Sequence, residues 1–61
     1  MMPGDVKAAR EVAEEQIAWW QKRRIRPKRA CQALGIRPRK YSWAEVRAYM
    51  VRWWLRNHDA A

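Results

Sequence analysis

The stretch Arg-Pro-Lys-Arg-Ala-Cys-Gln-Ala-Leu-Gly-Ile-Arg-Pro, residues 26–38, decides the fold of this 61-residue chain. Pro27 fits the first turn of a helix, because its ring presets φ and that turn has no use for the missing N–H. Gly35 suits the left-handed conformation that ends many helices. We therefore predict a helix over residues 27–34, with Arg26, the residue before the proline, outside the helical region.

A helix is predicted on each side of this stretch. Before it, apolar residues at intervals of three and four share one helix face: Val6, Ala9, Ala13, Ile17 and Trp20. Asp5 is the expected N-cap, so the first helix should cover about residues 5–25. After the stretch, Pro38 is suited to open a third helix, over about residues 38–57. Ser42 and Glu45 have the spacing of a capping box, which leaves open a fresh start of that helix at Ser42.

The third helix carries two apolar stripes. One contains Tyr41, Ala44, Ala48, Val51 and Leu55, and the other contains Trp43, Val46, Met50 and Trp53. A helix wetted on one side needs only one stripe, so this helix lies between two others or packs against a second subunit. Of these two options we favour the second subunit, which makes the protein a homodimer. The residues expected to contact the second subunit or another partner are Trp19, Met50, Trp53 and Trp54.

Composition excludes several classes of protein. One Cys and one His cannot form a disulfide framework or a zinc site. No apolar run approaches the roughly 18–20 residues that span a bilayer, and no N-terminal signal is recognisable, so we expect a cytoplasmic protein. No segment alternates with period two. The fold class predicted is therefore all-α, a small three-helix helix-turn-helix domain over residues 1–61.

We expect no enzymatic activity, no cofactor and no metal. Cys31 is the only thiol and has no general base close in sequence, so it is expected to be a buried structural residue. His58 is expected to be exposed at a helix end. Three carboxylates are too few and too far apart in sequence for an acid/base pair, and are expected to form surface ion pairs: Glu14, Glu15 and Glu45.

The positive charge is concentrated in one segment. The net charge is +8, yet residues 22–40 hold nine Lys and Arg and no Asp or Glu. Such a segment repels itself and is stabilised when a polyanion neutralises it. Five of its cations, at the start of the second helix, are expected to grip backbone phosphates: Arg23, Arg24, Arg26, Lys28 and Arg29.

Residues 28–44 have the pattern of a helix-turn-helix. Cys31 is the small residue where two helices cross, and Gly35 forms the turn. The inward apolar positions are Ala30, Leu34, Ile36, Tyr41 and Ala44. The outward positions are all cationic, and Arg pairs well with guanine in the major groove. The residues expected to contact bases are Arg37, Arg39, Lys40 and Arg47.

The string from Arg29 to Tyr41, RACQALGIRPRKY, resembles the helix-turn-helix of insertion-sequence transposases, whose pattern is roughly R-x-C-x-x-L-G-[IL]-S-R-S-x-Y-Y. The resemblance covers about a quarter of the chain and implies a three-helical module that docks on DNA. We therefore expect a small regulator of transcription or recombination, of phage or mobile-element type, that binds double-stranded DNA. The alternatives are a cationic Trp-rich membrane-active protein similar to leaderless bacteriocins, a phage-type inhibitor of a host protein, and RNA binding.

Overall fold

The computed structural model describes residues 3–59, and side-chain exposure for residues 4–58. It has three helices: α1 over Pro3–Lys22, α2 over Pro27–Leu34 and α3 over Trp43–Asp59. The described residues contain no strand, so the all-α prediction is confirmed. α1 and α3 pack along each other, and α2 packs against α3.

The core lies where the three helices meet. The predicted stripe of α1 faces it, and four of the five stripe residues are buried, while Val6 is half-buried. Many of the buried side chains are small, which allows the helices to approach one another closely. The buried residues are Ala9, Ala13, Ile17, Trp20, Ala30, Cys31 and Val46.

α3 turns only its second predicted stripe toward this core. Val46 is fully buried, and Trp43 and Met50 pack against the core cluster. The indole of Trp43 stacks on that of Trp20, with ring centroids 6.2 Å apart and ring planes 22° apart. This stack joins the start of α3 to the last turn of α1.

The other stripe lies outside the buried core. Its later members Val51 and Leu55 are half-buried, but the predicted inward positions of Tyr41 and Ala44 are wrong. Tyr41 is 39% exposed and precedes α3, and Ala44 and Ala48 are exposed. One helix packed on one core can direct only one stripe inward. The stripe with Trp43 and Val46 offers more apolar area than the alanines, so its burial stabilises the fold more.

Two predicted helix starts are wrong. α1 begins at Pro3, which places Asp5 in its first turn and not at the N-cap. α3 begins at Trp43 and not at Pro38. The alternative start is the one observed, because the backbone N–H of Glu45 donates a 3.3 Å hydrogen bond to Ser42 Oγ. That bond gives α3 a side-chain cap, which a start at Pro38 would lack.

α2 has the predicted bounds, and it ends in a Schellman motif. Arg26 precedes it in an extended conformation, with φ −87° and ψ 162°. At its end, the N–H of Ile36 bonds the carbonyl of Cys31 at 3.0 Å, and the N–H of Gly35 bonds that of Gln32 at 3.1 Å. Gly35 has φ 74°, the left-handed conformation that this motif requires.

α1 ends three residues earlier than predicted, in the same motif. The N–H of Ile25 bonds the carbonyl of Trp20 at 2.9 Å, and the N–H of Arg24 bonds that of Gln21 at 2.9 Å. Arg24 therefore occupies the position that Gly35 has after α2, with φ 59°. It is the only residue other than glycine with a positive φ in the part of the chain that the structure describes.

Candidate nucleic-acid interface

The nine cations of residues 22–40 are all exposed. They lie on the end of α1, the α1–α2 connection, the first turn of α2 and the α2–α3 connection. Among the described side chains the only ion pair joins Arg47 to Glu14, so none of the nine has a carboxylate partner there. We call this set the basic surface: Lys22, Arg23, Arg24, Arg26, Lys28, Arg29, Arg37, Arg39 and Lys40.

All five cations predicted to contact phosphate lie around one shallow hollow. Its lining consists of Arg23, Arg24, Ile25, Arg26, Lys28, Arg29 and Gln32. The Schellman motif creates this arrangement, because it turns the chain sharply at Arg24 so that α2 starts only five residues after α1 ends. The result is a concave, acid-free concentration of positive charge.

The N-terminus of α2 opens beside this hollow. No side chain caps it, and its first turn contains no acidic residue. Free N–H groups at a helix start carry a partial positive charge and favour an anion. The backbone of α2 therefore adds to the attraction that the guanidinium and ammonium groups exert on an anion.

Two exposed aromatic rings lie within the basic surface, each with a cation over its face. The guanidinium of Arg23 is 3.7 Å from the ring centroid of Trp19, which is 46% exposed. Lys28 Nζ is 5.8 Å from the ring of Tyr41. The second contact brings the α2–α3 connection next to the first turn of α2, so both parts of the basic segment meet there.

The cations predicted to contact bases do not project together from a helix. Arg37, Arg39 and Lys40 lie in the eight-residue connection between α2 and α3, residues 35–42. A helix-turn-helix joins its helices by roughly three to four residues, so this connection is longer than that motif uses. The recognition helix predicted from Pro38 is therefore wrong, and contact of these three cations with bases stays a prediction without that helix.

Arg47 is separated from the other three. It lies on α3, and its guanidinium Nε donates to a carboxylate oxygen of Glu14 on α1. This ion pair joins the two helices and directs the side chain toward α1. Arg47 thus belongs to the contact between α1 and α3 and does not lie with the other three cations, and its contact with bases stays a prediction.

Three of the four residues predicted to contact a partner lie together, away from the basic surface. Met50, Trp53 and Trp54 line an apolar hollow between the helices, and Trp53 is 52% exposed. Trp19 does not belong to that hollow. It lies under Arg23 instead.

Cys31 and His58 lie where the sequence predicted. Cys31 is fully buried, and its burial, with the negative charge of Glu45 as a second cause, raises the pKa of the thiol. A raised pKa disfavours the thiolate, so the thiol is a poor nucleophile. His58 is exposed at the end of α3, where its ring stacks on Trp54 and Nδ1 lies 2.9 Å from the carbonyl of Trp54.

Sequence reasoning missed the left-handed Arg24. The signal was present in the spacing of Trp20 and Ile25, because a Schellman motif brings the apolar residues at these two positions together. Cys31 and Ile36 have the same spacing of five. Only the second pair has a glycine between its members, and glycine is the usual signal of this motif.

The described residues contain no group of three or more His, Cys, Asp or Glu side chains that could hold a metal ion. None of their helices is long and apolar enough to cross a bilayer. Comparison with known protein families, curated proteins and solved structures gives no match for this chain.

Proposed function

We propose that this protein binds duplex DNA through the basic surface and acts, without catalysis of its own, as a small regulator of transcription or recombination. The observation that carries the proposal is the hollow at the start of α2, where five cations converge with no carboxylate partner among the described side chains. The closely spaced phosphates of a nucleic-acid backbone match such a concentration of cations.

Most of the binding free energy would come from phosphate contacts. Each neutralised phosphate releases condensed counterions, so affinity falls steeply as salt rises. Such contacts position a protein but carry no base information. Because Arg37, Arg39 and Lys40 lie in a connection and not on a helix, we expect only modest sequence preference from them. Occupying a site would itself block other proteins there, which is a form of regulation that requires no catalysis.

The test is a titration of the full chain against a random duplex DNA at several salt concentrations. With about five to seven phosphate contacts, the logarithm of the association constant should fall against log[salt] with a slope near −5 to −6. Affinity should therefore drop about a thousandfold between about 50 mM and 200 mM salt. A slope near zero would contradict the proposal.

A pair of matched variants locates the contact. Arg26→Gln removes a cation from the hollow. It should not disturb the start of α2, because the Arg26 side chain makes no capping hydrogen bond. We expect weaker binding to all sequences and a salt slope shallower by about 1. Arg10→Gln, which removes an exposed cation of α1 that shares its hollow with no residue of the basic surface, should leave the slope unchanged. Equal effects of the two substitutions would mean that net charge alone drives binding.

Two further ligands separate the alternatives left by the sequence. Leakage of dye from anionic vesicles, at protein concentrations too low to bind duplex DNA, would favour membrane action. The acids along α1, of which Glu11, Glu14 and Glu15 are exposed, argue against that reading because they oppose insertion beside anionic lipid. Tighter binding to a duplex RNA of the same sequence than to the DNA would shift the proposal to RNA.

A further inference from the structure

Two exposed aromatic rings flank the hollow of the basic surface. Trp19 is 46% exposed and Tyr41 is 39% exposed. Neither ring lines the hollow, but the cation over each ring does, because Arg23 and Lys28 both belong to the lining. Each ring therefore lies within the reach of one cationic side chain from the place where phosphates would bind.

We propose that Trp19 and Tyr41 are stacking positions for unpaired bases, so that the preferred ligand is DNA in which a stretch of duplex has opened. The inference rests on the proposed function, since the hollow must hold the phosphates of the same strand. In a closed duplex the faces of the bases are covered by neighbouring bases, and a side chain cannot reach them. In a separated strand each base offers its face to an aromatic ring.

The contact of each cation with its ring can be exchanged for a contact with DNA. Both cations are exposed, and among the described side chains no carboxylate holds either of them. A cation over an exposed ring gains less free energy than a base stacked on that ring, and the cation gains a charged partner when it moves to phosphate. Binding of an open strand therefore moves Arg23 and Lys28 to the phosphates and frees the rings for bases.

The order of charges along α1 orients the nucleotide at Trp19. Glu15, Trp19 and Arg23 recur at intervals of four, so they lie in a row on one face. Glu15 and Trp19 line one shallow depression, and the guanidinium of Arg23 lies over the same tryptophan ring. The carboxylate repels phosphate and the guanidinium attracts it. The sugar-phosphate chain therefore passes on the Arg23 side, and the base extends over Trp19.

The test compares the affinity of the full chain for three DNAs of equal length at one salt concentration. They are a fully paired duplex, the same duplex with a central bubble of about six A·A mismatches, and that bubble with abasic sites in place of the adenines. All three have the same number of phosphates. We expect the adenine bubble to bind about tenfold more tightly than the paired duplex, and the abasic bubble to lose this gain.

Variants of the rings locate the gain. Trp19→Leu should remove most of it and leave affinity for the paired duplex unchanged, which also shows that the variant is folded. Trp19→Phe keeps a ring and should keep most of the gain. Tyr41→Leu should reduce the gain less, because a phenol ring offers less stacking area than an indole. Trp53→Leu removes a tryptophan of similar exposure, 52%, outside the basic surface, and should change nothing.

The outcomes separate this inference from the proposed function. Equal affinity for the three DNAs overturns the inference and leaves the proposed function standing. A gain that the abasic bubble retains overturns it too, because flexibility and not stacking then favours the open DNA. The same holds if Trp19→Leu and Trp53→Leu reduce the gain equally. Binding to the adenine bubble with none to the paired duplex would support the stacking positions and remove the proposed binding of duplex DNA.

Discussion

The ends of α1 and α2 have the same backbone hydrogen bonds and differ in the residue that bears the strain. Gly35 takes the left-handed conformation after α2, and Arg24 takes it after α1. That conformation costs roughly 1–2 kcal/mol for a residue with a Cβ and almost nothing for glycine. In both motifs the next residue is isoleucine, half-buried against the core: Ile25 and Ile36. The comparison teaches that burial of the following isoleucine, and not a glycine, decides where these helices end.

The same comparison singles out Arg24. A residue that breaks a local rule is expected where function compensates for the strain. Arg24 lies in the hollow of the basic surface, beside Arg23 and Arg26. Glycine there would relieve the strain but remove a cation, so stability and binding should favour different residues.

The largest effect is expected from Trp20→Ala, which removes the core partner of Ile25 and the stack on Trp43. Truncating a buried tryptophan costs about 3–5 kcal/mol, which is most of the stability of so small a domain. Urea denaturation followed by circular dichroism should show a chain that is largely unfolded in water. Trp19→Ala, the exposed neighbour, serves as control and should shift the midpoint little. A folded Trp20→Ala chain would mean that the α1 end is held by something else.

Gly35→Ala should have an intermediate effect. A Cβ at this position meets no atom within 4 Å, so the whole cost is conformational. We expect a loss of about 1 kcal/mol and a fall in Tm of about 4–8 °C. Gly35→Asn should lose less, because asparagine tolerates the left-handed region better. If alanine and asparagine are equally harmful, the end of α2 depends on something other than φ.

Arg24→Gly should have the smallest effect on stability, and of opposite sign. Removing the strain gains more than the extra flexibility of glycine loses in the unfolded chain, so we expect about 0.5–1 kcal/mol of stabilisation. DNA affinity should fall together with the salt slope, by about one phosphate contact. Thermal melts and the salt titration measure the two effects separately. A variant that gains stability and keeps its affinity would show that the strain at Arg24 serves no contact with DNA.

The sequence predicted those parts of the fold that have a local chemical signal. Pro27 and Gly35 delimit α2 correctly, and the apolar period of α1 identifies Ile17 and Trp20 as core residues. The concentration of positive charge in residues 22–40 likewise follows from the composition of that segment. Each of these features depends on one residue type or on spacing within a single helix.

The errors arise where two local signals compete or where packing decides. Pro38 and Ser42 both suit a helix start, and the side-chain cap at Ser42 is the one used. The position of Arg47 depends on Glu14, thirty-three residues earlier, which no local pattern reveals. The predicted recognition helix is wrong for both reasons. Whether the basic surface binds DNA stays a prediction, because charge density does not identify a polymer.

The stack of Trp20 on Trp43 has a consequence for the nine cations between these two residues. It fastens both ends of the segment, so residues 22–40 form a closed loop on the protein and not a trailing basic arm. Closing a loop limits the conformations open to it before any ligand arrives. A polyanion that binds here would order few side chains anew and lose little chain entropy, whereas a loose tail of equal charge would have to be immobilised on the ligand.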